Sequence, residues 1–290
     1  MVACGLGALV VVTGCESGGG QGGLKAWGME YHVQEFKDPR PNRVHVLRVD
    51  LSSGKTEPVV VIGRDPDGEG PAESSLTNPL KLAADGEVLA FVNTNPWDAF
   101  PDAAGKRNRS WYERQPVDIA GLAASGGRVR SPVSPGDMTV WVDAAGRVSI
   151  GDGTAEKSVK EGMSGFHRIV RDGAVIVPPS GVRHPRTAIG VDRSGGILWL
   201  VVVDGRQKGF SEGMSVHELG IVMRDLGCWD AANMDGGGSS VMGLAGSDAR
   251  VHVVNSPSDR RRGVVRVRPL PMILTIRKKG ASKVSTKPIP

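Results

Sequence analysis

Ile197-Leu-Trp-Leu-Val-Val-Val203, followed at once by Asp204-Gly-Arg206, decides the fold of this chain. Successive strand residues point to opposite faces, so a half-buried strand alternates apolar and polar side chains. Here both alternating sets are apolar, and the segment reads as a central strand covered on both sides. Its flanks give strands at 31–36 and 43–51 with period-two alternation, a short helical turn after Pro79, and a compact apolar run, Val88-Leu-Ala-Phe-Val92, that delivers Asn93-Thr-Asn-Pro-Trp-Asp98. Further strands are expected at 138–143, 147–150, 168–177, 187–191, 231–234, 251–254 and 264–274. One helix is well signalled. Ser215-Val-His-Glu218 fits a capping box, Leu219, Val222, Met223 and Leu226 recur on one face, and Gly227 stands where a C-terminal glycine belongs. The expectation is an α+β fold: mixed, largely antiparallel β-sheets with a few flanking helices, in a single domain over 24–275.

Downstream of the central strand lies Ala231-Ala-Asn-Met-Asp-Gly-Gly-Gly-Ser-Ser-Val-Met242. Glycine enters left-handed backbone conformations freely, so Gly236, Gly237 and Gly238 can turn tightly and aim successive N–H groups at one point. Such a concavity binds phosphate or a developing oxyanion. The same residues also fit a plain hairpin loop with Asp at its usual turn position. Their neighbours have to decide between the two.

The 290 residues and an apolar content of 39% allow a real core, while 41 glycines and an aromatic content of 4% favour short strands and many turns over long helices. Residues 2–13 are almost wholly apolar or small, and Glu16 to Gly23 has the composition of a flexible linker. Val12-Thr13-Gly14-Cys15 resembles a bacterial lipobox. That resemblance implies a signal peptide over 1–14, lipidation of Cys15, a linker over 15–23, and an exported protein lipid-anchored in the cell envelope; the apolar run is too short for a permanent bilayer span. Processing would remove Cys4 and leave Cys228 as the one free thiol, read as a small buried hydrophobe. The net charge of +5 is concentrated in Arg260 to Arg268 and in a basic tail, 276–290, expected to be disordered. With few aromatics interleaved, nucleic acid ranks last among anionic partners. The six histidines lack ligand spacing and there is no twelve-residue calcium loop, so neither a metal nor any other cofactor is expected.

Polar clusters fall at several strand ends: Asn93 with Asn95, Arg186-Thr187, Asp204-Gly-Arg206, Asn233-Met-Asp235, and Asn255 with Asp259. Their number suggests convergence on one cleft. Arg186 and Arg206 suit a phosphate, because guanidinium presents a planar fork of donors. Asp204 and Asp235 supply the two carboxylates that glycoside cleavage commonly uses. Plainer roles stand beside these. Asp204-Gly205 is a favoured turn pair, Glu218 fits a capping-box acceptor, Arg186 could pair with a surface carboxylate, His217 fits an exposed helix histidine, and His167 and His184 have no identifiable partners.

The ordered series 183–190, 203–206, 211–219, 226–227 and 232–240 resembles the phosphodiester glycosidase family. The similarity extends more loosely to Asn93-Thr-Asn-Pro-Trp and Asn255-Ser-Pro-Ser-Asp. This resemblance implies an activity that releases a free sugar from an N-acetylglucosamine-1-phosphodiester-like group on a phosphorylated glycan or exopolysaccharide. It implies Asp235 and Asp204 as catalytic groups, with Arg186, Arg206 and the 236–238 amides holding phosphate. Asn93, Thr187, Asn233, Ser239 and Ser240 would then orient substrate. Many members have Asn-Gly-Gly-Tyr/Phe-Phe where this chain has Asn93-Thr-Asn-Pro-Trp-Asp98, a departure that bears on the sugar pocket. The rival expectation is a surface lipoprotein that binds phosphorylated polysaccharide without turning it over.

Overall fold

The computed structural model describes residues 10–12, 20–68, 70–134, 136–153, 159–179 and 181–280. Ile197–Val203 lies inside an eight-stranded sheet, between Asn42–Asp50 and Arg186–Val191. Its two faces divide as the sequence requires. Leu198, Leu200 and Val202 join one core with Ile189, Val140 and Met163. Trp199, Val201 and Val203 join another with Leu219, Val222 and Met223 of the helix Val216–Asp225. A five-stranded sheet that includes Met138–Val142 and Glu161–Gly165 therefore covers one side and the helix covers the other. A third sheet runs in the order Val251–Val253, Met242–Ala245, Val88–Asn93, Met272–Lys278 and Thr56–Ile62. Every strand pairing among the described residues is antiparallel.

The helix ends are built as their residues dictate. Ser215 Oγ accepts from the Glu218 N–H at 3.2 Å while Glu218 Oε2 accepts from the Ser215 N–H at 2.8 Å, and Gly227 takes φ +93° just past the C-terminus. Glu218 also pairs with Arg40, which ties the helix to the loop before Asn42–Asp50. It is committed to structure.

Some boundaries differ from the sequence reading. The expected strand over 168–177 is a hairpin, His167–Arg171 with Ala174–Val175. Asp172 and Gly173, at φ 52° and 75°, make the tight turn that an Asp-Gly pair favours. The expected strand over 264–274 breaks into Val264–Val265 and Met272–Lys278, because Pro269 and Pro271 cannot donate to a ladder. Met272–Lys278 runs past 275, so Ile276, Arg277 and Lys278 belong to the sheet and not to the tail. Gly20–Ala26 is helical, which shortens the linker expected over 15–23. Val10–Val12, inside the expected signal peptide, pairs antiparallel with Met29–Phe36. Cys15 and residues 281–290 lie outside the described residues. No described helix is long and apolar enough to cross a membrane.

One buried carboxyl gives the fold a pH dependence. Glu161 accepts from the Val60 N–H at 2.9 Å and the Gly126 N–H at 3.2 Å, yet burial outweighs both and pushes it up to about 7. A folded-state value above the unfolded one stabilises most at low pH, and the contribution is lost as pH rises from about 4.5 through about 7. We expect the loss to reach about 3 kcal/mol. Urea midpoints of wild type and Glu161→Gln across that range check it: the wild-type curve should fall relative to the variant, and parallel curves would contradict the assignment.

Candidate functional site

Asp230–Asn233 runs beside Arg186–Val191 with Ala188 opposite Asn233. The Met234 N–H continues the pairing by donating to Thr187 O at 2.9 Å. The same register brings Arg186 across from Asp235. The three glycines follow, each for its own reason. A Cβ on Gly236 would stand 2.8 Å from Pro185 O, Gly237 needs φ +63°, and a Cβ on Gly238 would collide with the side chains of Asp259 and Arg268.

The amide cradle expected over 236–238 is not fully formed. The Gly237 N–H is committed to Pro185 O at 2.9 Å, and the Ser239 and Ser240 N–H groups turn back to Gly236 O and Gly237 O. Guanidinium groups supply the positive field instead. Arg206 lies over Gly237, with a terminal nitrogen 3.1 Å from where its Cβ would be. The same guanidinium donates to His184 Nδ1 at 3.2 Å, leaving the imidazole proton to Nε2. Burial, then the charges of Arg206 and Arg186, holds His184 below its ordinary value. Arg186 is anchored by Met214 O at 3.0 Å and Val182 O at 2.8 Å, and burial together with the Arg206 charge makes its cationic form costly. Among the described residues no carboxylate forms an ion pair with Arg186 or Arg206. Two neighbouring, uncompensated cations at a glycine turn define an anion site.

Asp235 lies opposite Arg186 in the strand register and within the field of Arg268 and Arg206. Burial pushes it up to about 6, against the pull of the Ser239 hydroxyl and of Arg268 and Arg206. Arg268 is a site residue that the sequence reading assigned only to a basic stretch. It grips both oxygens of Asp259, at 2.8 and 3.0 Å, and donates to Ser239 Oγ at 3.2 Å.

Asp204, expected to be the second catalytic carboxylate, is held within the scaffold. It is buried, with Oδ1 accepting from Asn255 Nδ2 at 3.0 Å and the Ser256 N–H at 2.9 Å, while Oδ2 meets His45 Nε2 at 3.1 Å. His45 Nδ1 in turn meets the Tyr31 hydroxyl at 2.7 Å. Asp204 therefore fastens the 255–256 loop to the central strand. Asp204→Ala should cost about 3–5 kcal/mol of stability by stranding buried partners, whereas Asp204→Asn should fold and keep turnover. A folded but inactive Asn variant would restore its catalytic role.

Asn93 and Thr187, expected to orient substrate, are likewise engaged in internal hydrogen bonds. The Thr187 hydroxyl donates to Asn93 Oδ1 at 2.7 Å, the Val241 N–H donates to the same oxygen at 3.1 Å, and Asn93 Nδ2 donates to Asp235 O at 2.7 Å. These groups hold the glycine loop. Asn95 is likewise consumed by Ala120 O, Leu122 O and the Ser164 N–H. By contrast, Asn233 Oδ1, Ser240 Oγ and Thr94 Oγ1 are buried without a hydrogen-bond partner among the described residues. Buried polar atoms are nearly always paired, so these three stand out beside the glycine turn. Among the described residues no group of three or more His, Cys, Asp or Glu side chains is arranged to hold a metal ion.

Fold and site together define an antiparallel α+β protein in which Arg186 and Arg206, without carboxylate ion pairs among the described residues, stand beside a glycine turn and the buried carboxyl of Asp235. The chain belongs to the phosphodiester glycosidase family, whose model matches residues 81–276. It is similar in structure to the catalytic domain of zebrafish N-acetylglucosamine-1-phosphodiester alpha-N-acetylglucosaminidase, auto-inhibited by its pro-peptide. The TM-score is 0.62 at 17% identity, covering 94% of this chain and 88% of that one. A Burkholderia pseudomallei K96243 protein gives 0.55 at 17% identity over 81% and 74%. In sequence, the SPbeta prophage-derived uncharacterized protein YomE of Bacillus subtilis (strain 168) is 42% identical over 65 residues, which is 22% of this chain and 10% of that protein.

Proposed function

We propose that this chain hydrolyses a glycosyl phosphodiester of the N-acetylglucosamine-1-phosphodiester kind, releasing free sugar from a phosphorylated glycan or exopolysaccharide. The observation that carries this reading is the uncompensated Arg186 and Arg206 pair across from Asp235. An ordinary glycoside needs an acid to protonate a basic leaving oxygen, and so two carboxylates. Here Asp204 is turned into the scaffold and Asp259 is held by Arg268, which leaves Asp235 alone. A phosphate leaving group is already a weak base, and guanidinium groups can neutralise it as the C1–O bond breaks. Asp235 then takes a proton from the water whose oxygen bonds to C1, or stabilises the positive charge developing on the ring. Asn233, Ser240 and Thr94 are the candidates for sugar hydroxyls or phosphate oxygens.

The test is sugar release by the full chain from a GlcNAc-1-phosphodiester, compared with the matching GlcNAc glycoside that lacks phosphate. Release from the first alone is expected. Equal release from both would remove phosphate from the reading, and binding without release from either would leave a polysaccharide-binding protein. The Val12-Thr13-Gly14-Cys15 segment supports export and a lipid anchor at Cys15. Detergent-phase partitioning that is unchanged by Cys15→Ala would count against the anchor.

A further inference from the structure

The Arg260–Arg261 and Val264–Val265 hairpin is not used by the reaction above. It is rooted on the site from both sides. Before it, Arg260 donates to Gln207 Oε1 at 2.9 Å, and Gln207 follows Arg206 in the chain. After it, the Arg266 N–H returns to Asp259 O at 2.8 Å, and Arg268 reaches Ser239. Against the hairpin lies a groove of about 680 Å³, with Arg261, Arg262 and Arg266 among its walls. The one carboxylate lining it, Glu113, is already paired with Lys81 at 2.7 Å. Arg261 and Arg262 have no ion pair among the described residues. The groove's other walls are aliphatic or amide, with Val264 and Val265 exposed at 70% and 44% and no aromatic ring for base stacking.

We propose that this groove, on a hairpin hydrogen-bonded to the residues beside Arg206 and Ser239, is a second anion subsite that takes the following phosphates of a linear poly(sugar phosphate). The proposal rests on the phosphodiester reading for its direction along the chain, and it narrows the substrate class from any phosphorylated glycan to one with phosphates repeated along its backbone. The lack of a stacking surface favours a sugar-phosphate chain over a single-stranded nucleic acid. Valine side chains at the rim suit the apolar faces of sugar rings between charges.

The experiment is calorimetric titration of the full chain with orthophosphate, tripolyphosphate and long-chain polyphosphate at two salt concentrations. The proteins are wild type, R261A/R262A, R261K/R262K and R186A. Wild-type affinity should rise with phosphate chain length. R261A/R262A should lose about tenfold for the long chain and flatten its salt dependence, as expected for two lost phosphate contacts. That variant should bind orthophosphate as wild type does, and the lysine pair should recover most of the loss. Chain-length dependence that survives R261A/R262A overturns the subsite. So does a single-stranded oligodeoxynucleotide that binds as tightly as polyphosphate and loses as much in the variant, because the groove would then be a nucleic-acid surface. If orthophosphate binding ignores R186A while the long chain still depends on Arg261 and Arg262, the primary phosphate reading fails and the subsite stands.

Discussion

Asp235→Asn should lower kcat on a GlcNAc-1-phosphodiester by about 10²–10⁴-fold, the usual worth of a positioned proton acceptor. The pH profile carries the diagnosis. Burial pushes Asp235 up to about 6, so wild-type kcat/KM should climb as pH rises through about 6 and level off near neutrality, where the carboxylate is ionised. The variant should show a low rate without that limb. A wild-type rate that instead falls through about 6 would mean Asp235 works protonated, as the acid for the leaving oxygen. Stability separates lost chemistry from lost fold. A carboxyl whose folded value lies above its unfolded one stabilises most at low pH, and that contribution drains away as pH rises through about 6. The neutral Asn should therefore make the protein more stable at pH 7, by up to about 3 kcal/mol. An inactive variant with a raised melting temperature would show that the site holds its carboxylate at a cost to the fold.

Removing either pocket arginine comes next in size. Arg186→Ala and Arg206→Ala should each lower kcat/KM on the phosphodiester by about 10²–10³-fold, the scale seen when one preorganised donor to a developing anion is lost. Arg206 is exposed and left-handed at φ 60°, so its loss should leave folding intact. Arg186 also holds Met214 O and Val182 O, so Arg186→Lys is the informative partner: it keeps the charge and gives up the fork. The double variant should lose less than the product of the single losses, because each cation raises the cost of the other. Glu218→Gln, which touches only the helix cap and Arg40, should change turnover little. Equal losses for Glu218 and the arginines would refute the division of roles.

Much of this was legible before any coordinates. Ile197–Val203 announces its two covered faces through composition alone, and Val216–Asp225 through a cap whose partners sit three residues apart. Local chemistry of that kind survives folding. The glycine turn at 236–238 was legible for the same reason, since its constraints lie within a few residues. The sequence places Asp204 at a strand end but cannot say which face it takes. The pairing of Val202 with His45 puts Asp204, two residues on and on the same face, toward His45 and the 255–256 loop. Arg268 was missed because it stands among other arginines. The carboxylate that distinguishes it, Asp259, sits nine residues earlier, across a hairpin the sequence reading took for part of a strand.

Asn93 joins a strand of the third sheet to Thr187 in the first and to both shoulders of the glycine loop, with partners 94, 142 and 148 residues distant along the chain. No shorter piece of the protein can assemble that junction. Contacts of such long sequence separation form late, after most of the loop-closure entropy has been spent. Catalytic competence should therefore be the last property to return during refolding, lagging behind secondary structure and burial of the tryptophans. Sugar release, under the proposed activity, would then report whether the whole molecule has closed.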